Sequence, residues 1–198
     1  MRKKPATRPG NRVHLRAPQR GDQRAFLAQA RESRVLHRGF VQAPETPTAF
    51  AAYVERYTTK DAHPRNVGLL VVRADDGAIA GVINFSEIIL GAFRSAYVGY
   101  YALAPFAGDG YMTEGFALAL DFAFRELKLH RVEANVQPAN RRSLALVARV
   151  GFAREGYSRR YVKIAGRWRD HVRFAILAED WTRQRVSLRR HLAATHRL

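Results

Sequence analysis

The sequence predicts an α/β (α+β) chain with a mixed central β-sheet flanked by helices, and three observations carry that reading. Short runs rich in Val, Ile, Phe and Tyr, bounded by Gly, Pro and Asp, recur through the middle of the chain. Between them lie segments whose apolar residues return at helical spacing. The elements run β-α-α-β-β-β-α-β-α-β-β without an internal repeat, the order of a mixed sheet covered by helices.

Each element has a local cause. Arg12-Val13-His14-Leu15-Arg16 alternates like a short strand, and Asp22 stands where it can cap a helix through Phe26, Leu27 and Ala30. Thr46-Pro47 starts a second helix, Pro47 to Tyr57, because proline presets its dihedral and lacks an N–H that the first turn would leave unused. The runs Val67 to Val72 and Ile79 to Phe85 are separated by Asp75-Asp76-Gly77, a hairpin signal. A third run, Ala96 to Leu103, ends at Pro105, which has no N–H to continue a ladder. From Met112 to Leu127, the residues Phe116, Ala117, Leu120, Ala123, Phe124 and Leu127 make one apolar helix face. Val132 to Val136 reads as a strand, and Ser143 to Val150 as a helix stopped by Gly151. Finally, Tyr157 to Ile164 and Trp168 to Leu177 flank Ala165-Gly166-Arg167, a second hairpin.

Composition sets bounds on function. A chain of 198 residues, 47% of them hydrophobic, can bury one substantial core. No stretch approaches the roughly 20 apolar residues of a membrane span, so the expectation is a soluble, unexported, cytoplasmic protein. The chain has no cysteine, which excludes disulfides, thiolate metal sites and a cysteine nucleophile. Its net charge of +17 is concentrated at the ends. Residues 1–24 carry eight Lys or Arg against Asp22, and residues 182–198 carry five with no acid. The expected organisation is a basic arm over 1–11, one domain over 12–182 and a basic tail over 183–198. Such tails suit contact with RNA or the ribosome, and they serve solubility equally well.

The residues that carry chemistry start at Gly108-Asp109-Gly110, between a strand end and a helix start. Backbone N–H groups there have no intrahelical partners, and the helix dipole adds partial positive charge, so the place suits an anion. It is not a Walker A loop, because no Gly-Lys-Ser/Thr follows, nor a Rossmann fingerprint, because the third glycine is displaced to Gly115.

Three separated segments then act together: Gly108 to Glu114, Asn135 to Ser143, and Gly151 to Gly156. In order and spacing they resemble GNAT N-acetyltransferases of the RimJ/RimL type. Gly81 to Ser86, Gly91-Ala92-Phe93, Gly166 to Val172 and Asp180-Trp181 extend the likeness across residues 12 to 182. The resemblance implies the GNAT acyl-CoA acyltransferase fold and acetyl-CoA as cofactor. It also implies cofactor contacts from Leu103, Ala107, Gly108, Asp109, Gly110, Tyr111, Met112, Thr113, Asn135, Asn140 and Ser143. The family's loop usually has Gln or Arg before the first glycine and Gly or Ala two after the second, where this chain has Ala107 and Met112. Pyrophosphate should therefore be held mainly by backbone amides. Asp109 must face solvent or be offset by an arginine, since like charges repel.

The resemblance further implies direct transfer to an amine, without an acyl-enzyme. The departing thiolate needs a proton; the family's usual tyrosine, four residues before the Gly-Phe pair, is Val147 here, and Ser143 matches the serine given this role in RimL-like enzymes. Helix capping explains Ser143 and Asn140 almost as well. For the base, Glu87 is the first choice, with Glu133, Tyr97 and His171 as further options. Asp170 and His171 are adjacent on a strand and point to opposite faces, so they cannot easily share a site. The expected acceptor is a protein N-terminal α-amine, a ribosomal protein's by resemblance, with the chain acting as monomer or homodimer. Two alternatives stay open: transfer to a small amine, and a non-catalytic, RNA- or ribosome-associated protein that keeps the fold.

Overall fold

A computed structural model describes residues 12–58, 61 and 64–195. The expected basic arm over 1–11 lies outside them. Strand β1 (Val13–Arg16) leads through a 3-10 turn (Arg20–Asp22) to helices α1 (Gln23–Glu32), α2 (Arg34–His37) and α3 (Pro47–Tyr57). Strands β2 (Val67–Arg73), β3 (Ile79–Ile89) and β4 (Ser95–Ala102) follow, then α4 (Tyr111–Arg125), β5 (Arg131–Val136) and α5 (Arg141–Val150). The hairpin β6 (Ala153–Ile164) and β7 (Arg167–Leu177) and a last helix, α6 (Ala178–Thr195), complete the chain.

The strands form one seven-stranded sheet in the order β1-β2-β3-β4-β5-β7-β6. All neighbours are antiparallel except β4 and β5, which α4 joins as a parallel crossover. Alternation along the strands divides the core in two. Val98, Val132, Ala134 and Val136 face α4 and α5, packing with Phe116, Leu120 and Val147; Leu70, Val72, Val82 and Leu103 face α1 and α3, packing with Phe26 and Phe50. No helix among the described residues is long and apolar enough to cross a membrane.

Two local expectations change. Asp22 occupies the N-cap position of α1 but makes no side-chain cap, because its carboxylate pairs with Arg16 and accepts from the Gln19 N–H. A bidentate arginine outcompetes a single backbone donor. Thr46 does cap α3, accepting from the Ala49 N–H at 3.2 Å. The stretch expected as a tail, 183–198, continues α6 as far as Thr195. Trp181 and Leu188 of that helix are buried against the α4 side of the sheet, and the Trp181 indole donates to Asp121 at 2.9 Å. The domain therefore extends past residue 182.

Candidate active site

The parallel pairing of β4 with β5 is short. It covers Ser95 to Tyr97 against Arg131 to Glu133 and then stops, although β4 continues to Ala102 and β5 to Val136. The two strands part in the middle of the sheet, and no β4–β5 ladder pairs Val98–Ala102 with Ala134–Val136. A cleft of about 290 Å³ opens at this parting. Its lining includes Val98 to Tyr101 of β4 and Asn135 to Gln137 at the end of β5, together with Asn140, Ser143 and His171.

At the α4 end, Gly108 and Gly110 have φ of +113° and +85°. These left-handed angles cost other residues strain, so the two glycines let the chain turn into the helix. Gly110 supplies no side-chain cap to α4, so first-turn amides are open to an anion. Asp109 and Gly108 are exposed. Asp109 thus meets its condition by facing solvent, while Arg12 Nη2 donates to its backbone carbonyl at 2.9 Å and Arg12 Nε to buried Glu114 at 2.7 Å. Arg12 also lies over the Tyr111 ring, fixing β1 to the loop. Left-handed glycines, an uncapped helix start and an adjacent guanidinium together fit a diphosphate. Ala107 flanks this cradle, half-buried, while Leu103, Met112 and Thr113 are buried, with Leu103 and Met112 packed in the core clusters.

Inside the cleft, Asn140 caps α5 by accepting from the Ser143 N–H at 3.1 Å, which holds Ser143 at the start of that helix. The Ser143 hydroxyl meets the Tyr100 hydroxyl at 2.5 Å. Burial pushes the Tyr100 phenol well above its ordinary range, so it stays protonated at neutral pH. The pair can therefore deliver a proton. Tyr100 and its neighbour Tyr101 stand in the run Ala96 to Leu103, where nothing in the sequence marks either for chemistry. Strand alternation is the signal that separates them: Tyr100 faces α4 with Phe116, and Tyr101 packs against the α1–α3 side. Val147, at the family's tyrosine position, is fully buried in the core.

Asn135 also lines the cleft, and its buried Oδ1 has no hydrogen-bond partner among the described residues. An orphaned acceptor aimed at a cleft fits an amide-bearing ligand, because leaving it unpaired is costly.

The base candidates separate. Glu87 stands in the irregular stretch of the β3–β4 pairing with φ of +49°, binds Arg65 at 2.7 Å and does not line the cleft. The bulge re-aims it, as bulges do, and no alternation rule could show this. Glu133 is buried with its two oxygens engaged by Arg131 and Arg173. Pairing with Tyr161 pushes the Tyr97 hydroxyl up to about 12, so it holds its proton. Asp170 accepts from Tyr157 and the Arg160 N–H at the exposed side of β7, whereas its neighbour His171 is buried and lines the cleft. The two do point apart. Asn84, Ser86 and Tyr57, also in the lining, carried no sequence signal of their own.

Residues 12–153 match the family model described as an acetyltransferase (GNAT) domain. The [ribosomal protein uS5]-alanine N-acetyltransferase of Escherichia coli is 43% identical over 108 residues, 54% of this chain and 56% of that enzyme. The chain thus spans little more than half the length of that curated relative. The solved structure of Mycobacterium smegmatis RimJ in complex with CoA-disulfide superposes with a TM-score of 0.79 at 28% identity, covering 88% of each chain. The spermidine N(1)-acetyltransferase of Vibrio cholerae is 28% identical over 86% of this chain and 96% of its own.

Proposed function

Because this chain belongs to the GNAT acetyltransferase family, we propose that it transfers the acetyl group of acetyl-CoA to a protein N-terminal α-amine, with a ribosomal protein as acceptor. The parting of β4 from β5 carries this reading. It leaves a split through the sheet with a diphosphate cradle at one end and a proton-bearing hydroxyl pair inside. Acetyl-CoA bound there supplies an activated thioester carbonyl. The amides of Gly108 to Met112 hold its pyrophosphate, with Asp109 turned to solvent, and Asn135 and Asn140 line the path to the reacting carbon. Ser143, backed by Tyr100, protonates the departing thiolate. Direct transfer agrees with a chain that has no cysteine to form an acyl-enzyme.

The lining supports the choice of acceptor. Among the described residues around the cleft there is no Asp, Glu, Lys or Arg. A polyamine carries several ammonium groups that would need carboxylate partners once desolvated. An α-amine next to a small neutral side chain needs none and has an ordinary pKa of about 8, which eases its deprotonation. Likeness to the uS5-alanine enzyme favours a ribosomal protein, and the arginines of α6 suit an approach to ribosomal RNA in the cytoplasm.

Acetylation of a panel of Ala- and Ser-starting peptides, spermidine and free amino acids, read by mass spectrometry, tests the proposal. Modification of the peptide α-amines is expected. Acetylated spermidine with unmodified peptides would establish the small-amine reading instead. Saturable acetyl-CoA binding without transfer to any amine would establish the non-catalytic one.

A further inference from the structure

The mechanism so far has a proton donor and no group to take the amine's proton. Glu87 and Glu133 are bound to arginines, and Tyr97 keeps its proton. His171 is the one His, Asp, Glu, Lys or Arg among the described residues lining the cleft.

Its position follows from the register. Val136 lies opposite Val172, and both belong to the core on the α4–α5 face, so His171 projects from the other face, as Asn135 and Arg173 do. Ser143 and Tyr100 approach the split from one side of the sheet and His171 from the other. A base and an acid that serve opposite ends of a displacement require this separation.

The ring is also prepared chemically. The Arg169 carbonyl lies 3.0 Å from His171 Nδ1 and can only accept, so Nδ1 carries the proton and Nε2 presents a lone pair. The ring is 3% exposed and meets the Tyr161 ring edge-on at 6.0 Å, so its orientation is held by packing as well.

We propose that His171 is the general base of the acetyl transfer, its Nε2 taking the proton of the acceptor amine. This rests on the acetyltransferase reading above. His171 Nε2 takes a proton from the ammonium form of the acceptor, and the freed lone pair bonds to the thioester carbonyl carbon, the nitrogen's second proton leaving to solvent as the amide forms. The C–S bond breaks, and the sulfur takes a proton from Ser143. The imidazolium proton and the vacancy at Ser143 then return to balance through solvent, leaving the amide and CoA thiol.

Burial holds the imidazole below its ordinary pKa of 6.5, so the base is unprotonated at neutral pH. The groups facing it are few. Tyr161 comes from β6, and Arg173, on the same face of β7, lies over the Tyr161 ring. Asp170 is adjacent in sequence but bound to Tyr157, and Tyr57, Tyr100 and Tyr101 line the cleft from α3 and β4. Tyr100 and Tyr101 are held above their ordinary range by burial, and Tyr57 also titrates above its usual value, so these phenols add no negative charge near pH 7.

The test compares wild type with His171→Gln on an Ala-starting peptide from pH 6 to 9. A lost base is expected to lower kcat about 100-fold at pH 7, at the low end of general-base effects. The gap should narrow about tenfold by pH 9, because the amine, with a pKa of about 8, then deprotonates unaided. Acetyl-CoA affinity of the variant, measured by calorimetry, should match wild type and establishes that the variant is folded. Should it not match, His171→Ala with added imidazole replaces it, and restoration of turnover is the expected result. An unchanged kcat, a loss of equal size at every pH, or no rescue by imidazole would overturn the assignment of His171 while leaving acetyl transfer intact. A wild-type chain that acetylates no amine would overturn both.

Discussion

Removing the hydroxyls of Ser143 and Tyr100, singly and together, separates a proton relay from two independent polar groups. The oxygens lie 2.5 Å apart, and Ser143 is anchored by the Asn140 cap through its backbone rather than its side chain. Ser143→Ala therefore deletes the donor without unseating the helix. General acids contribute about 10²- to 10⁴-fold, and a thiol with a pKa of about 8.5 leaves with modest help, so the lower end applies. A fall in kcat of about 100-fold is expected, with little change in acetyl-CoA affinity. Tyr100→Phe leaves the serine in place but removes the contact with its hydroxyl and a longer one, at 3.3 Å, to its carbonyl; a hydrogen bond's net worth of roughly 0.5–1.5 kcal/mol corresponds to a loss of about 2- to 13-fold. The double variant should be no slower than Ser143→Ala, because a phenol that acts through the serine has nothing left to act on. Stopped-flow measurement of thiol release at saturating peptide and acetyl-CoA gives all four rates. Multiplied losses in the double variant, or an unaltered rate in Ser143→Ala, would refute the relay.

Further consequences concern the loop, the last helix and pH. Gly110→Ala places a Cβ at φ of +85°, 3.1 Å from Arg12 Nη2, and should cost about 1–2 kcal/mol. Scanning calorimetry should show a midpoint lower by roughly 2–8 °C; an unshifted midpoint would mean the left-handed turn is not required. Trp181→Phe removes the indole donor of Asp121 at 2.9 Å and should lower stability by roughly 1.5–3 kcal/mol in urea titration, an effect absent if α6 is only a tail. Burial holds His37 below its ordinary 6.5, so the unfolded chain takes up this proton first as pH falls. The stability this histidine contributes is complete above pH 6.5 and is lost as pH drops through the folded value. Thermal midpoints should therefore fall between pH 7 and pH 5, and His37→Gln should flatten that fall; an identical slope in the variant would contradict the assignment.

What the sequence could reveal divides along a physical line. Thr46-Pro47, Gly151 and the Asp75-Asp76-Gly77 turn act on their immediate neighbours, and the structure places α3, the end of α5 and the β2–β3 hairpin where these residues put them. The anion-binding character of Gly108 and Gly110 is local in the same way, and both have the positive φ that their residue type allows. Asp22 shows the limit of such rules: the cap signal is present, but Arg16, six residues away, takes the carboxylate. Helix α6 is obscured because its core contacts are few, Trp181 and Leu188 among many arginines, so its composition resembles a solvated tail. The cleft is a property of pairing. Where β4 leaves β5, which of two adjacent tyrosines faces Ser143, and how a bulge turns Glu87 away all depend on residues far apart in the chain. His171 belongs to this class as well, since only the β5–β7 register assigns it a face.

Direct transfer within a complex of both substrates leaves no acetyl group on the chain at any stage, and incubating the chain with isotopically labelled acetyl-CoA, with and without an Ala-starting peptide, detects any departure from it. Intact-mass analysis should find the protein unlabelled in the absence of peptide, and label on the peptide α-amine, with an equal amount of free CoA thiol, once peptide is added. Label that first accumulates on the chain and then passes to the peptide, or no peptide label at all, would contradict the account.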